Sequence, residues 1–256
     1  MCGRYTQTHS GKAIASAFSL DSSQNGLPSP PPRYNIAPTQ PVSAITQSSA
    51  RPSAQSSAQS SGQREYRIFQ WGLIPAWAKD PSIGSRMINA RAETVAEKPS
   101  FRTAFKRRRC LIVADGFYEW KKSDQKNPDQ KRADQRSAEK TKPKKQPYYI
   151  QMADKALFGM AGIWESWESG DGSYVESCTI LTTDPNALMQ PIHNRMPVII
   201  HPSDYDLWLD PTVQKAETVQ HLLRSFEADA MQAYPVSTTV NSPRNESADC
   251  IEPIDL

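Results

Sequence analysis

The chain has 256 residues, and its 30 Lys and Arg nearly balance its 27 Asp and Glu, so the net charge of +3 points to no class of partner. No apolar run approaches the roughly 20 residues of a membrane helix, and the first residues have no apolar signal core. The widely spaced cysteines contain no Cys-x-x-Cys pair, which argues against a zinc ribbon or a dense disulfide scaffold; they are Cys2, Cys110, Cys178 and Cys250. We therefore expect a soluble intracellular protein with reduced thiols, nuclear in a eukaryote and otherwise cytoplasmic.

Two polar segments explain why only 38% of the residues are hydrophobic. Residues 47–63 contain 7 Ser and 4 Gln, and residues 121–147 contain 10 Lys and Arg with 4 Asp and Glu. Such segments bury too little apolar surface to offset the entropy of ordering them. We predict one domain over residues 1–256 with disordered inserts at 47–63 and 121–147. The second insert fits a non-specific DNA contact, a solubilising loop or a nuclear-import patch equally well.

The remaining sequence predicts more strands than helices. Helices are expected at 11–18, 94–105, 203–208 and 217–226. Strands are expected at 41–45, 66–69, 110–113, 116–120, 148–152, 158–164, 174–182 and 197–200. Because the strands follow one another without alternating with helices, the predicted class is α+β with a largely antiparallel sheet system.

Residue 2 is the most informative single position. If Met1 is removed, Cys2 carries an α-amine and a thiol on adjacent carbons, with pKa values of about 8 and about 8.5. The amine can condense with an aldehyde to an imine, and the thiol can then close on the same carbon to give a five-membered thiazolidine. The alternative is that Cys2 is simply a small buried residue, as free cysteines often are.

Three polar clusters accompany Cys2. Asn89 opens the segment Asn89-Ala90-Arg91-Ala92-Glu93-Thr94, just before a predicted helix. Glu119 lies between aromatic residues at a strand end, where apolar neighbours raise a carboxyl pKa and suit acid/base catalysis, although a strand-edge glutamate facing water is the default. His193 and Arg195 precede the strand at 197–200. The other histidines, His9, His201 and His221, are interpreted as structural or surface residues.

The segment 86–109 holds 8 Lys and Arg against 2 Glu, a local charge of +6. A helix carrying Arg102 and Lys106, followed by three arginines at 107–109, would offer a phosphate-binding face, or only a solvated helix face. Trp71 and Trp77 flank a turn that contains proline. Exposed indoles there would stack on bases. The alternative is core packing, and we expect at least one of the two in the core.

Together these motifs resemble the SOS response-associated peptidase (SRAP) family of abasic-site processing proteins. The resemblance covers nearly the whole chain apart from the two inserts. It also includes 34–38, 71–77 and the stretch from Val236 to Pro253. The family implies a single compact α+β domain with a barrel-like, mainly antiparallel core and peripheral helices.

The resemblance also implies a site and a reaction. Cys2 would crosslink to the aldehyde of an abasic site in single-stranded DNA through a thiazolidine. Asn89 would hold the amine or the sugar, Glu119 would be the general acid/base in sugar opening and Met1 removal, and His193 would assist proton transfer. The implied DNA-binding set is Arg4, Trp71, Trp77, Arg91, Arg102 and Arg195. No metal or small-molecule cofactor is implied, and we expect a monomer.

Two alternative functions remain at this point. An N-terminal-nucleophile cysteine peptidase would use Cys2 against amides, with Glu119 activating the thiol or the amine. A non-catalytic binder of single-stranded DNA would use only the basic and aromatic residues. If Cys2 does crosslink to abasic DNA, strand cleavage by a lyase step could compete with crosslinking.

Overall fold

The structure is a computed structural model that describes residues 2–21, 30–48, 62–122 and 145–256. Within these ranges the strands form where apolar and β-branched residues cluster, as the sequence predicts. They are β1 Tyr5–Gln7, β2 Arg33–Ile36, β3 Pro41–Gln47, β4 Arg64–Trp71, β5 Asn89–Arg91, β6 Arg109–Ala114, β7 Gly116–Lys122, β8 Lys145–Met152, β9 Phe158–Glu168, β10 Tyr174–Thr183, β11 Met196–Pro197, β12 Ile199–Ile200 and β13 Met231–Pro235.

Five of these strands close into a barrel. The order β10-β4-β3-β6-β9 returns to β10 through an antiparallel β9–β10 pairing of seven residue pairs. The pairing of β4 with β10 is parallel, with Ser177 opposite Gln70, while the other pairings within the ring are antiparallel. The predicted α+β class with a barrel-like, mainly antiparallel core is therefore confirmed.

Side chains alternate between the two faces of the barrel wall. One set fills the interior: Ala44, Phe69, Ile112, Met160 and Cys178. The other set packs outward against the helices: Ile45, Leu111, Ile163 and Leu181. Residues of both sets are almost completely buried. The barrel is therefore a packed core without an open channel.

A second, antiparallel sheet has the order β13-β8-β7-β1-β2. Only Asp115 separates β6 of the barrel from β7 of this sheet. The buried Asp115 carboxylate accepts hydrogen bonds from Thr6, from Thr8 and, at 3.0 Å, from His9. These bonds tie the end of β1 to the connection between the two sheets. His9 is thus structural, as the sequence analysis expected.

The helices are shorter than the sequence predicts. Among the described residues the α-helices are α1 Gly11–Ala17, α2 Arg102–Arg107, α3 Tyr205–Leu209 and α4 Ala216–Gln220, besides short 3-10 helices such as Pro81–Arg86 and Pro202–Asp204. The helix expected at 94–105 is wrong over most of its length: a turn follows Thr94 and the helix begins at Arg102. Pro99 explains the difference, because proline has no N–H and disfavours helical geometry in the preceding residue.

Two other elements differ from their predictions. The helix expected at 217–226 ends at Gln220, after which tight turns keep Leu222 and Leu223 buried. The strand expected at 197–200 is split into β11, which pairs with β10, and β12, which pairs with β9. Val198 bridges the two, bonding to Leu181 on one side and Ala161 on the other.

The cores of both predicted inserts, residues 49–61 and 123–144, lie outside the described residues. At the edges of the second insert the strands extend further than expected, since Lys121 pairs with Gln146 and Lys122 with Lys145. The short strands β1, β2, β5 and β13 were not predicted from the sequence. Across residues 2–21, 30–48, 62–122 and 145–256, no helix has the length and apolar character to cross a bilayer.

Candidate active site

Cys2 lies at the start of the chain just before β1, between the barrel and the second sheet. Its side chain is fully buried among residues that fill the barrel interior. Burial raises the pKa of the Cys2 thiol, and the nearby Glu119 carboxylate raises it further. The group is therefore a neutral thiol at physiological pH in this state of the protein.

Asn89 fixes the main chain of Cys2. It is the first residue of β5, which pairs in parallel with β10 of the barrel, with Asn89 opposite Ile180. Its Nδ2 donates to the Cys2 carbonyl oxygen over 2.8 Å. Within the part of the chain that the structure describes, the buried Oδ1 of Asn89 has no hydrogen-bond partner. An acceptor is thus left beside Cys2, where it could receive a hydrogen bond from an amine or a sugar hydroxyl.

Glu119 reaches the same place from the second sheet. It lies on β7 opposite Tyr148 of β8, and only 3% of it is exposed. Its Oε2 is 3.9 Å from Nε2 of His193. His193 stands in the loop before β11, where its N–H bonds to the Met189 carbonyl. A carboxylate and an imidazole therefore face each other beside Cys2.

The main chain of Arg195 contacts one nitrogen of the His193 ring. The main-chain N–H of Arg195 lies 3.1 Å from Nδ1 of His193, and the Arg195 carbonyl oxygen lies 3.2 Å from the same atom. When Nδ1 accepts from the N–H, the proton of the neutral ring is on Nε2, toward Glu119. This arrangement suits proton transfer between His193 and a group bound next to Glu119.

The structure engages two of the predicted phosphate-binding arginines in internal contacts. Arg4 donates to Asn35 Oδ1 over 2.7 Å and to the carbonyls of Val240 and Asn241 over 2.8 and 3.2 Å. Its partial burial lowers its pKa. Arg195 is held by Glu93 and Asp184. The bonds of Arg4 connect it to the motifs at 34–38 and 236–253. Phosphate binding by Arg4 or Arg195 would compete with the internal bonds of that arginine.

The other predicted DNA-binding residues are divided between surface and core. Arg91, at the end of β5, and Arg102, at the start of α2, are exposed. Trp77 is 61% exposed. Trp71 is fully buried, packs edge-on against Tyr5 and donates its indole N–H to the Ile88 carbonyl. Trp71 is therefore the expected core tryptophan, and in this conformation it offers no face to a base.

The run of three arginines at 107–109 is not one surface, contrary to the sequence expectation. Arg109 is buried and bonds to main-chain carbonyls, including that of Trp208 over 2.6 Å. Arg108 pairs with Glu165 and lies over the Trp164 ring. Arg107 remains exposed on the last turn of α2. Burial, rather than the number of charged residues, determines which arginine side chains are available to bind a partner.

Sequence reasoning assigned no role to Glu93 and Asp184, which together hold Arg195. Glu93 lies within the motif 89–94, so an acidic residue in that motif was the available signal. Nothing in the sequence marked Asp184 as its companion. In the described ranges, no group of three or more His, Cys, Asp or Glu is arranged to hold a metal ion.

Comparison with known proteins places this site in a family. The family description "SOS response associated peptidase (SRAP)" matches residues 1–243, and the chain belongs to this family. It is 41% identical to the abasic site processing protein YoqW of Bacillus subtilis over 254 residues, 98% of this chain and 99% of that one. It is 33% identical to the abasic site processing protein HMCES of Mus musculus over 200 residues, 73% of this chain and 56% of that protein.

A solved structure agrees with the fold. A protein from Bacteroides thetaiotaomicron superposes with a TM-score of 0.73 at 26% identity, covering 99% of this chain and 100% of that one. The resemblance stated from the sequence motifs is therefore confirmed at the level of the family and the fold.

Proposed function

We propose that this protein acts in the DNA-damage response by processing abasic sites, and that it captures them in single-stranded DNA through a thiazolidine formed by Cys2. Membership of the family and the likeness to named abasic site processing proteins support the processing role. The observation that carries the chemistry is the convergence of Cys2, Asn89 and the Glu119–His193 pair at one place, where Cys2 and Glu119 are buried and the other two side chains are partly exposed.

The first step exposes the amine. Hydrolysis of the Met1–Cys2 peptide bond consumes one water and releases methionine, by self-processing or by an aminopeptidase. Glu119 is the general base for that water in the self-processing route, since its carboxylate lies next to Cys2. Cys2 then carries a free amine and a thiol.

The second step joins protein and DNA. Glu119 and His193 assist opening of the abasic sugar to its aldehyde, and the Cys2 amine attacks the aldehyde carbon. Loss of one water gives an imine. The thiol sulfur then bonds to the same carbon while the thiol proton passes to the imine nitrogen, which closes the thiazolidine. Overall, one water is lost and nothing is oxidised or reduced.

The raised thiol pKa is consistent with this order of events. A nucleophilic thiolate requires a lowered pKa, whereas burial raises the pKa of Cys2. In the proposed order the amine reacts first, and the neutral thiol adds to the imine carbon. The same observation weighs against the cysteine-peptidase alternative, in which the thiolate must attack an amide first. Strand cleavage by β-elimination starts from the same imine, so ring closure by sulfur competes with that lyase branch.

The DNA-binding part of the proposal depends on the exposed residues. Arg91 and Arg102 supply positive charge and Trp77 supplies a stacking face. Burial of Cys2 and Glu119 favours a lesion that is already unpaired, because a base in a single strand does not have to be unstacked from a duplex. The proposed protein is a monomer that acts where the cell keeps its DNA, in the nucleus or in the cytoplasm of a cell without one.

The test uses protein without Met1, verified by intact mass, mixed with single-stranded DNA carrying one abasic site. We expect a heat-stable adduct whose mass equals protein plus DNA minus one water. Cys2→Ala should abolish it, and Glu119→Gln should slow it by about 100-fold or more. Cys250→Ala is the matched control, since Cys250 is a buried cysteine that packs with Tyr118 and Tyr149, in a different cluster from Cys2.

Other outcomes separate the alternatives. Absence of an adduct in the wild type, with DNA affinity retained in Cys2→Ala, would show a non-covalent binder. Turnover of peptides in trans without any need for DNA would show the peptidase. An adduct of equal yield in Cys2→Ala would reject the role of Cys2.

A further inference from the structure

Arg195 is held by Glu93, Asp184 and the Thr182 carbonyl, a set of contacts that we call the clamp. It is the most extensive polar contact that the proposed chemistry leaves unused. The Arg195 guanidinium meets both oxygens of Glu93, at 2.7 and 3.0 Å, and Asp184 Oδ1 at 2.9 Å. It also donates to the Thr182 carbonyl oxygen. Only 14% of the Arg195 side chain is exposed. Such fork-to-fork contacts fix direction as well as position.

The clamp joins three parts of the site. Glu93 directly follows β5, whose first residue, Asn89, holds the Cys2 carbonyl. Thr182 lies on β10 and Asp184 directly after it. Arg195 belongs to the loop that carries His193. The guanidinium therefore connects the loop that carries His193 to β5 and β10, the two strands that position Asn89.

The main chain of Arg195 then acts on His193. Its N–H lies 3.1 Å from Nδ1 of the ring, and its carbonyl oxygen lies 3.2 Å from the same atom. The N–H serves a ring whose Nδ1 accepts, and the carbonyl serves a ring whose Nδ1 donates. Of the two neutral forms, the one with an accepting Nδ1 also turns its Nε2 proton toward the Glu119 carboxylate, 3.9 Å away. The ring therefore keeps a partner at Nδ1 whether or not it holds a second proton.

We propose that Arg195 is a positioning residue, held by Glu93 and Asp184, whose main chain keeps the proton of neutral His193 on Nε2 facing Glu119. This role rests on the proposed function, because the tautomer matters through proton transfer at Cys2. It differs from phosphate binding, since Nη1 and Nη2 of the guanidinium are engaged by Glu93, Asp184 and the Thr182 carbonyl, which a phosphate would have to displace at these two nitrogens. The buried Nε of Arg195 has no hydrogen-bond partner among the described residues. Hydrogen bonds from Arg195 also keep Glu93 ionised, lowering its carboxyl pKa although burial alone would raise it.

The experiment compares Glu93→Gln with the wild type and with Glu97→Gln, an exposed glutamate on the same turn. The first readout is the ¹⁵N shifts of the His193 ring, assigned with His193→Gln and recorded where the ring is neutral. We expect the wild type and Glu97→Gln to show the proton on Nε2. We expect Glu93→Gln to show a mixture of tautomers.

The second readout separates binding from chemistry. In Glu93→Gln the crosslinking rate at saturating abasic DNA should fall by about 10- to 100-fold, the cost of a small misplacement of a reacting group. Affinity for undamaged single-stranded DNA should not fall, since the change removes a negative charge. Asp184→Asn, which removes one of the Arg195 contacts, should show the same pattern with a smaller effect.

The opposite pattern would overturn the proposal. If Arg195 serves chiefly to bind phosphate, Glu93→Gln releases it, so DNA binds more tightly, crosslinking is as fast or faster, and the tautomer is unchanged. A thermal melt shows whether each variant is folded. If Glu93→Gln does not fold, the same two readouts are recorded on Arg195→Lys, which keeps the positive charge but loses the two-pronged guanidinium contact with Glu93. If the wild type forms no adduct, the proposed function fails, while the ring shifts still decide whether the clamp sets the tautomer.

Discussion

Replacing Arg109 by methionine tests whether burial overrides the charge pattern of the basic segment. The Arg109 guanidinium donates to the carbonyls of Phe105 and Lys106 at 3.0 and 3.2 Å, in the last turn of α2. It also donates to those of Trp208 and Asp210 at the end of α3. Burial lowers the pKa of Arg109 to about 10, so the group stays charged at neutral pH. One cation thus satisfies the open carbonyl ends of two helices.

The expected loss follows from these contacts. A hydrogen bond from a charged group contributes about 1.5–3 kcal/mol. The four bonds share one guanidinium and do not add. Methionine keeps most of the apolar stem but loses the guanidinium that lies over the Trp208 ring. We expect Arg109→Met to lower the free energy of unfolding by about 3–5 kcal/mol, because it leaves buried carbonyls without a donor.

The measurement is chemical denaturation, paired with the affinity of the folded protein for single-stranded DNA. Arg102→Met is the control, since Arg102 is exposed on the same helix. We expect it to change stability by less than about 0.5 kcal/mol and to weaken DNA binding. If Arg109→Met keeps its stability within about 1 kcal/mol and weakens DNA binding instead, the reasoning from burial is refuted.

Two further predictions follow from the same contrast between core and surface. Trp77→Ala should weaken binding to single-stranded DNA by about 5- to 150-fold, the value of one stacked base, with little change in stability. Trp71→Ala should lower stability by about 3–5 kcal/mol; reversed effects in the two variants would contradict their placement. Burial raises the thiol pKa of Cys110 and Cys178, so the stability they provide is complete below about pH 8.5 and falls above it by up to about 1.4 kcal/mol per pH unit for each thiol. Denaturation between pH 8 and 10 should show a shallower loss in Cys110→Ala, and an unchanged slope would contradict this account.

The sequence predicted the strand-rich architecture because long strands carry a strong local signal. All eight predicted strands lie within or overlap observed ones, and the longest, β9 and β10, extend beyond their expected limits. The short strands were missed because three to five residues carry too little pattern. Strand β5, for example, exists because its backbone pairs with β10, not because of its own composition.

The candidate site was predictable as a set of motifs but not as a set of contacts. Glu119 and His193 were singled out from local context, and the structure brings them within 3.9 Å. Charge counts could not show that Arg109 and Arg195 are bound by carbonyls and carboxylates far along the chain. Long-range ion pairs and burial have no periodic sequence signal, so the sequence overestimated the number of arginines available to DNA.

The position of the site between the two sheets couples its geometry to the fold. Cys2 precedes β1 and Glu119 lies on β7, both strands of the second sheet. Asn89 lies on β5, and His193 precedes β11; both of these strands pair with β10 of the barrel. The chain passes from barrel to sheet at Asp115, whose buried carboxylate binds Thr6 and Thr8 of the segment that follows Cys2. A change at this connection would alter the distance between the two halves of the site without touching a reacting group. The candidate site therefore depends on the relative placement of two sheets, and Asp115, outside its motifs, contributes to that placement through its bonds to Thr6 and Thr8.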